Sequence, residues 1–301
     1  MKRAFLSSFL AVCFLVGIIS ESSADIVIDG FTDQTNDRFT NSASFVGAHL
    51  DFSGVGRNGR WGTLISNNVI ISANHARPTG QISFYESNDS SIAPVVRNIV
   101  GPGQQIGSSD LYVSVLDAPV SSNIKIYDFA TEFLSAPAYN AATNNGLQNA
   151  GSFQGEEAYL VGISPTSRNN VALEQAVGRN RVSGYLEDLP FIGNTDNDSL
   201  LFIEEVAGDP DYVQYEAQFR GGDSGGPTFV ERNGELVLHG INSFISGAGS
   251  ELEFSGITYV GNFTDEINSF IALNRTVPEP GSASLIVLAM VALCSIRRRS
   301  N

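Results

Sequence analysis

The sequence predicts an all-β protein closed by one C-terminal helix. Three observations carry this: the apolar runs are strand-length, turn residues break them throughout, and no long amphipathic segment precedes residue 264. The 301 residues include 30 Gly and 11 Pro but only two Met, a balance that suits turns better than a helical bundle. Hydrophobic residues make up 42% and charged residues 16%, enough apolar material for a core and too little charge for general disorder. The length fits one large domain or two packed lobes.

In chain order, Leu64-Ile65, Val69-Ile70-Ile71, Val95-Val96 and Ile99-Val100 are short apolar runs. Leu111, Val113 and Val115 alternate with Tyr112, Ser114 and Leu116, the period of a strand. Asn140 to Gly155, rich in Asn, Gly, Ala and Gln, reads as the connection between two lobes. Tyr159-Leu160-Val161 and Leu200 to Ile203 follow as strands, and Thr228-Phe229-Val230 and Leu236-Val237-Leu238 flank Asn233-Gly234, a hairpin signal. Thr264 is placed to cap the final helix, with Asp265 and Glu266 in its first turn and Ile267, Phe270 and Ile271 on its buried face.

The two ends read as processing segments. Residues 1–24 have the form of a signal peptide: Lys2 and Arg3, an apolar run from Phe9 to Ile19, then small residues at Ser22-Ser23-Ala24. At the other end, Val277-Pro278-Glu279-Pro280 leads into an apolar stretch from Ala283 to Ile296 and then Arg297, Arg298 and Arg299. That order places a short membrane segment before a basic stop. It resembles the PEP-CTERM sorting signal, and the resemblance implies export, an exosortase-type sorting enzyme as partner, and a transient or permanent C-terminal membrane anchor at the cell envelope or outside it. The expected division is a signal peptide at 1–24, one folded domain at 25–276 and a sorting segment at 277–301. Cys13 and Cys294 fall in the end segments, so the exported domain rests on its core without a disulfide.

Removing five basic residues (Lys2, Arg3 and Arg297 to Arg299) and two acidic ones (Glu21 and Glu279) leaves 12 against 30, a charge of about −18. Such an acid excess cannot neutralise phosphates, which excludes nucleic acid as a partner. Nothing in the sequence argues for an oligomer, and a monomer is expected.

The segment with the most specific chemistry is Gly221-Gly222-Asp223-Ser224-Gly225-Gly226-Pro227. A serine nucleophile needs an exposed hydroxyl beside backbone N–H groups that face the developing oxyanion, and glycines let the chain turn tightly enough to supply them. The serine also needs a base. Of His49, His75 and His239, His75 stands out because it follows the apolar run Val69-Ile70-Ile71 and the small turn Ser72-Ala73-Asn74. The other two lie in or beside strand-like runs and read as structural. A carboxylate must orient the imidazole. Asp110 opens an alternating strand, where an acid is costly without a partner; Asp117, before Ala118-Pro119, reads as a turn acid.

The order His, Asp, Ser in these surroundings resembles the trypsin/chymotrypsin-like serine proteases. Gly62 to Ser66 with Ser72-Ala73-Asn74-His75 is similar to the family's histidine block, Asp110 to Leu116 to its aspartate block, and Gly222 to Pro227 matches its serine block. His239 to Phe244 resembles the strand that pairs with substrate, and Gly256 to Val260 with the following helix resembles the family's C-terminal end. The likeness covers about residues 40–273. It implies two packed six-stranded antiparallel β-barrels with the site between them, and a serine endopeptidase acting on protein or peptide substrates. Ser224 would be the nucleophile, His75 the base and Asp110 its orienting acid. The N–H groups of Gly222 and Ser224 would form the oxyanion hole, and Asp223 would match the buried acid that fixes the loop.

The same resemblance assigns Gln218, Ser243 and Ile245 to the substrate pocket. Gln218 stands at the pocket floor, where relatives that prefer Lys or Arg carry Asp, so no strong Lys/Arg preference is expected. Ile245 replaces a frequent Gly and would narrow the pocket toward small or medium side chains. The family's cysteines after the histidine and before the serine are Ala76 and Arg220 here. Ile26-Val27-Ile28-Asp29-Gly30 is similar to the family's mature start, but reaching it requires removal of Asp25, and no zymogen step of this kind is expected. Asn194-Thr195-Asp196-Asn197-Asp198 has oxygen ligands at alternate positions, as calcium loops do. It lacks the rest of such a loop and reads as a solvated turn, so neither metal nor cofactor is expected. Two other functions fit parts of the sequence: a non-catalytic binding module on a protease scaffold, given Asn74 and Arg220 beside the motifs, and an envelope or extracellular-matrix protein, for which the tail alone suffices.

Overall fold

The computed structural model describes residues 25–140, 146–191, 193–246 and 253–274. The segments read as signal peptide and sorting tail, with both cysteines, lie outside the described residues. Among the described residues, no helix is long and apolar enough to cross a membrane.

The first lobe is a closed six-stranded antiparallel barrel. Its strands are β2 (Val55–Arg57), β3 (Trp61–Ser66), β4 (Val69–Ala73), β5 (Gln81–Phe84), β6 (Val95–Gln105) and β7 (Leu111–Leu116), closing in the order β2-β3-β4-β7-β6-β5. The barrel's own core is Leu64, Ile70, Ile82, Phe84, Leu116 and Ile124. Two glycines make room for it: a Cβ on Gly56 would lie 2.5 Å from the Phe84 ring, and one on Gly62 would lie 2.7 Å from both Ile70 and Ile82. Strand β4 is fully buried. Ile70 belongs to the barrel core, whereas Val69, Ile71 and Ala73 join the large cluster shared with the second lobe. Successive side chains of a strand face opposite ways, so this strand, packed on both faces, reads as an apolar run broken only by Ser72.

The second lobe is a seven-stranded sheet. It uses β8 (Glu157–Gly162), β9 (Ala176–Arg181), β10 (Gly184–Leu186), β11 (Ser199–Ile203), β13 (Pro227–Arg232), β14 (Glu235–Ser246) and β15 (Phe254–Tyr259) in the order β10-β11-β15-β14-β13-β8-β9. This departs from the expected second six-stranded barrel, because the ladder is not closed. Its two edge strands, β9 and β10, follow one another in sequence across Val182-Ser183 instead of pairing side by side. The turn of the β13–β14 hairpin puts Asn233 at φ 54° and Gly234 at φ 82°, the left-handed pair that a two-residue hairpin turn requires.

Short pieces complete the chain. Strand β1 (Val27–Ile28) pairs antiparallel with β12 (Ala217–Gln218), just before the serine loop. A one-turn helix α1 (Asp33–Asn36) is capped by the Thr32 hydroxyl, which accepts from the Thr35 N–H. Arg38, fully buried, donates to the carbonyls of Val55 and Tyr85 in the barrel and to Gln175 Oε1 beside the second sheet. Burial lowers its pKa to about 10, yet its donors are satisfied across both lobes.

Two expectations are corrected. The connection between the lobes extends from the end of β7 at Leu116 to Glu157, well beyond Asn140 to Gly155; residues 141–145 of that stretch lie outside the described residues. In the final helix, α2 (Thr264–Asn274), Thr264 is the first helical residue and not an accepting cap: its hydroxyl donates to the Gly261 carbonyl. Ile267 and Phe270 are buried, and Ile271 is half-buried against the same cluster.

Candidate functional site

Strand β4 ends at Ala73, and residues 74–76 turn outward in a short 3-10 turn that carries His75. The neighbouring strand β7 begins just after Asp110, with Ala73 opposite Leu111. The Asn74 N–H donates to the Asp110 carbonyl at 2.8 Å, which brings the two side chains together. The His75 N–H reaches Asp110 Oδ1 at 2.9 Å, and His75 Nδ1 lies 2.6 Å from Asp110 Oδ2. Asp110 has no exposed surface. A buried carboxylate is tolerated when its lone pairs are filled, and two further donors fill them: the Ser243 hydroxyl from β14 and the Asn194 amide at 3.3 Å. A carboxylate only accepts, so this contact assigns the proton to Nδ1 and leaves Nε2 of a neutral imidazole as an acceptor.

The serine loop follows β12 and precedes β13. Gly222 sits at φ 102° and Gly225 at φ 92°, a region that side chains with a Cβ rarely adopt. The Gly225 N–H donates to the Asn242 carbonyl, and the Asn242 N–H returns to the Gly226 carbonyl. The loop is thus pinned beside Ser243, the residue that supports Asp110. From the other lobe, a Cβ on Gly225 would lie 2.6 Å from Ser72 Oγ and 3.5 Å from the Ala73 nitrogen. Only glycine lets the loop pack on the end of the strand that presents His75. Trp61 Nε1 donates to the Gly222 carbonyl at 3.1 Å, turning that oxygen toward the barrel.

Among the described residues, neither the Ser224 nor the Gly222 N–H donates to a protein acceptor, and no hydrogen bond joins the Ser224 hydroxyl to the imidazole. Hydrogen bonds of this kind are often long in unliganded sites and tighten with substrate. Asp223 lies buried below the loop, accepting the N–H of Ile163 at Oδ1 and that of Arg220 at Oδ2, both at 2.7 Å. Burial pushes its pKa up to about 8. Ile26 lies alongside it: a Cβ on Gly162 would meet Asp223 Oδ1 and the Ile26 Cβ at 2.7 Å each.

The three residues assigned to a substrate pocket do not all serve one wall. Gln218 is buried, and its Oε1 accepts from the Ser255 hydroxyl at 2.7 Å. Ile245 pairs across the sheet with the same Ser255. Those two therefore meet around Ser255, a residue the sequence reading missed. Ser243 points the other way, donating to Asp110 and accepting from Thr258.

Asn194 to Asp198, expected to be a solvated turn, lie in the loop between β10 and β11, and two of them reach the candidate site. Asn194 contacts Asp110, and Asn197 Oδ1 accepts the Asp110 backbone N–H at 2.6 Å. Phe191 stands edge-on to the His75 ring at 5.8 Å and tilts against Phe244 at 5.2 Å. Three acids of this loop, Asp188, Asp196 and Asp198, offer carboxylate oxygens within 4.8 Å of one another. Burial raises the pKa of both Asp188 and Asp198, and the neighbouring Asp196 adds to the shift at Asp188.

The residues set aside earlier lie elsewhere. Asp117 is held by the backbone and side chain of Asn98, which lower its pKa. His239 is buried between Phe153 and Tyr259, and burial drops its pKa to about 3. His49 pairs at the surface with Glu231 at 3.2 Å. A hollow of about 530 Å³ lies along 119–126 with Asp51 and Asn67, and none of the candidate site residues lines it.

Neither models of known protein families nor the curated proteins yield a match to this chain.

Proposed function

We propose that the protein is an exported serine endopeptidase that hydrolyses peptide bonds through an acyl-enzyme. One observation carries this reading: buried Asp110 joins His75 Nδ1 and the Ser243 hydroxyl, while Asn242 next door pins the glycine-rich serine loop. In this account His75 Nε2 takes the Ser224 proton as Oγ attacks the scissile carbonyl. The imidazolium formed is stabilised by Asp110 and then protonates the leaving amine. The N–H groups of Gly222 and Ser224, which donate to no acceptor among the described residues, receive the oxyanion, where one such donor contributes about 3 kcal/mol to the barrier.

The fold supports the reading through its closed barrel, which agrees with a trypsin-like architecture. A second barrel formed around the seven-stranded sheet belongs to the same proposal. The buried amide of Gln218 offers no charge for a Lys or Arg side chain, so no strong Lys/Arg preference is expected, and Ile245 would narrow the pocket toward small or medium side chains. Export to the envelope through the two end segments completes the proposal. The test is digestion of a mixed peptide library by the purified protein, read by mass spectrometry beside Ser224→Ala. Cleavage by the wild type alone supports an endopeptidase; identical silence from both returns the chain to a binding role.

A further inference from the structure

We propose that Asn74 and Asn194 form a directional hydrogen-bond relay from Arg77 to Asp110, and that Asn194 is a positioning residue for the Asp110–His75 pair. Arg77 donates through Nε and Nη2 to Asn74 Oδ1. Asn74 Nδ2 donates to Asn194 Oδ1 at 3.2 Å, and Asn194 Nδ2 donates to Asp110 Oδ1 at 3.3 Å. A guanidinium has no acceptor and an ionised carboxylate no donor. The two ends therefore dictate the direction of both amides between them, resolving the oxygen–nitrogen ambiguity of Asn side chains. Gln105 adds a second donor to Asn194 Oδ1 at 2.9 Å and is itself tied to the Ser109 carbonyl.

The chain does two things. It fixes the rotation of the Asp110 carboxylate, whose Oδ1 takes Asn194 and the His75 N–H while Oδ2 faces Nδ1. It also aligns two amide dipoles and one cation with their positive ends toward Asp110, and such chained hydrogen bonds reinforce one another in a low-dielectric site. The charged groups on the segments that carry the relay are Arg77 beside Asn74 and the acids Glu187, Asp188, Asp196 and Asp198 on the loop of Asn194; β14 contributes the neutral Ser243.

The inference rests on the reading of His75 as the proton carrier, so the test uses one readout that needs no turnover. The His75 ring is titrated by NMR in the wild type and in Asn194→Asp, alongside kcat and KM for a cleaved peptide. Asn194→Asp exchanges the donor for a carboxylate of equal size against Asp110. The expected result is a His75 pKa raised by about one unit and a kcat reduced 10–100-fold at little-changed KM. Asn74→Leu, which leaves the Gln105 clamp in place, shifts both in the same direction by less. A thermal melt checks that each variant folds, and Gln105→Leu replaces Asn194→Asp if the latter does not, with a smaller kcat loss expected. An unmoved titration and unchanged kcat in folded variants overturn the relay. An inactive wild type with a shifted titration instead overturns the endopeptidase reading and leaves the relay standing.

Discussion

His75 Nδ1 lies 2.6 Å from Oδ2 of Asp110, and that carboxylate is sealed from solvent. An imidazole held this way is locked in one tautomer and one ring orientation. Asp110→Asn keeps the shape but allows the amide to present a donor, which inverts the tautomer. The expected consequence is a kcat lower by about 10³–10⁴-fold with KM nearly unchanged. Steady-state kinetics on a cleaved peptide checks this, and a loss below tenfold would show that Asp110 is only a structural neighbour.

Gly225 is the second point of control. With φ at 92° and Ser72 Oγ 2.6 Å from where a Cβ would stand, Gly225→Ala strains the backbone and pushes the serine loop off β4. A cost of about 1–3 kcal/mol in stability is expected, with loss of activity beyond the fraction unfolded. Urea denaturation beside an activity assay separates the two effects. Wild-type stability and activity in this variant would contradict the packing described.

Stability should fall as pH rises through neutrality. Burial, reinforced by Glu204 and Glu205, pushes Glu216 from an ordinary value of 4.5 up to about 8. A folded-state pKa above the unfolded one favours the fold fully below about pH 4.5, and that advantage is lost as pH climbs through about 8. Asp223, also pushed up to about 8, acts with the same sign. Glu216→Gln removes one of the two groups. In a Ser224→Ala background, which removes the proposed nucleophile, its melting temperature relative to the parent should rise steadily from pH 5 to pH 8. A difference that stays flat over this range would refute the assignment of Glu216.

The pairing of His75 with Asp110 in the candidate site was legible because its signals are local. The run Val69 to Ala73 is apolar at every strand position but one, since β4 packs on both the barrel core and the second lobe, and its end marks His75. Asp110 could be set apart from Asp117 because it leads into a half-buried strand, where an acid is costly without a partner. Asn194 was invisible for the opposite reason. It stands 84 residues from Asp110 in sequence, inside a polar stretch whose composition is that of an ordinary surface turn. The open edge of the second sheet was equally hidden, because the break at Val182-Ser183 falls within a run that is otherwise strand-like. Thr264 misled because a hydroxyl at a helix start can accept from the helix or donate backward, and here it donates to Gly261.

The central claim is that Ser224 is a nucleophile activated by His75. The most direct measurement is covalent labelling of the folded protein with a fluorophosphonate, mapped by peptide mass spectrometry. The account predicts a single adduct on Ser224, absent in Ser224→Ala and strongly slowed in His75→Ala. Folded wild-type protein that stays unlabelled, or labels equally without His75, would contradict it.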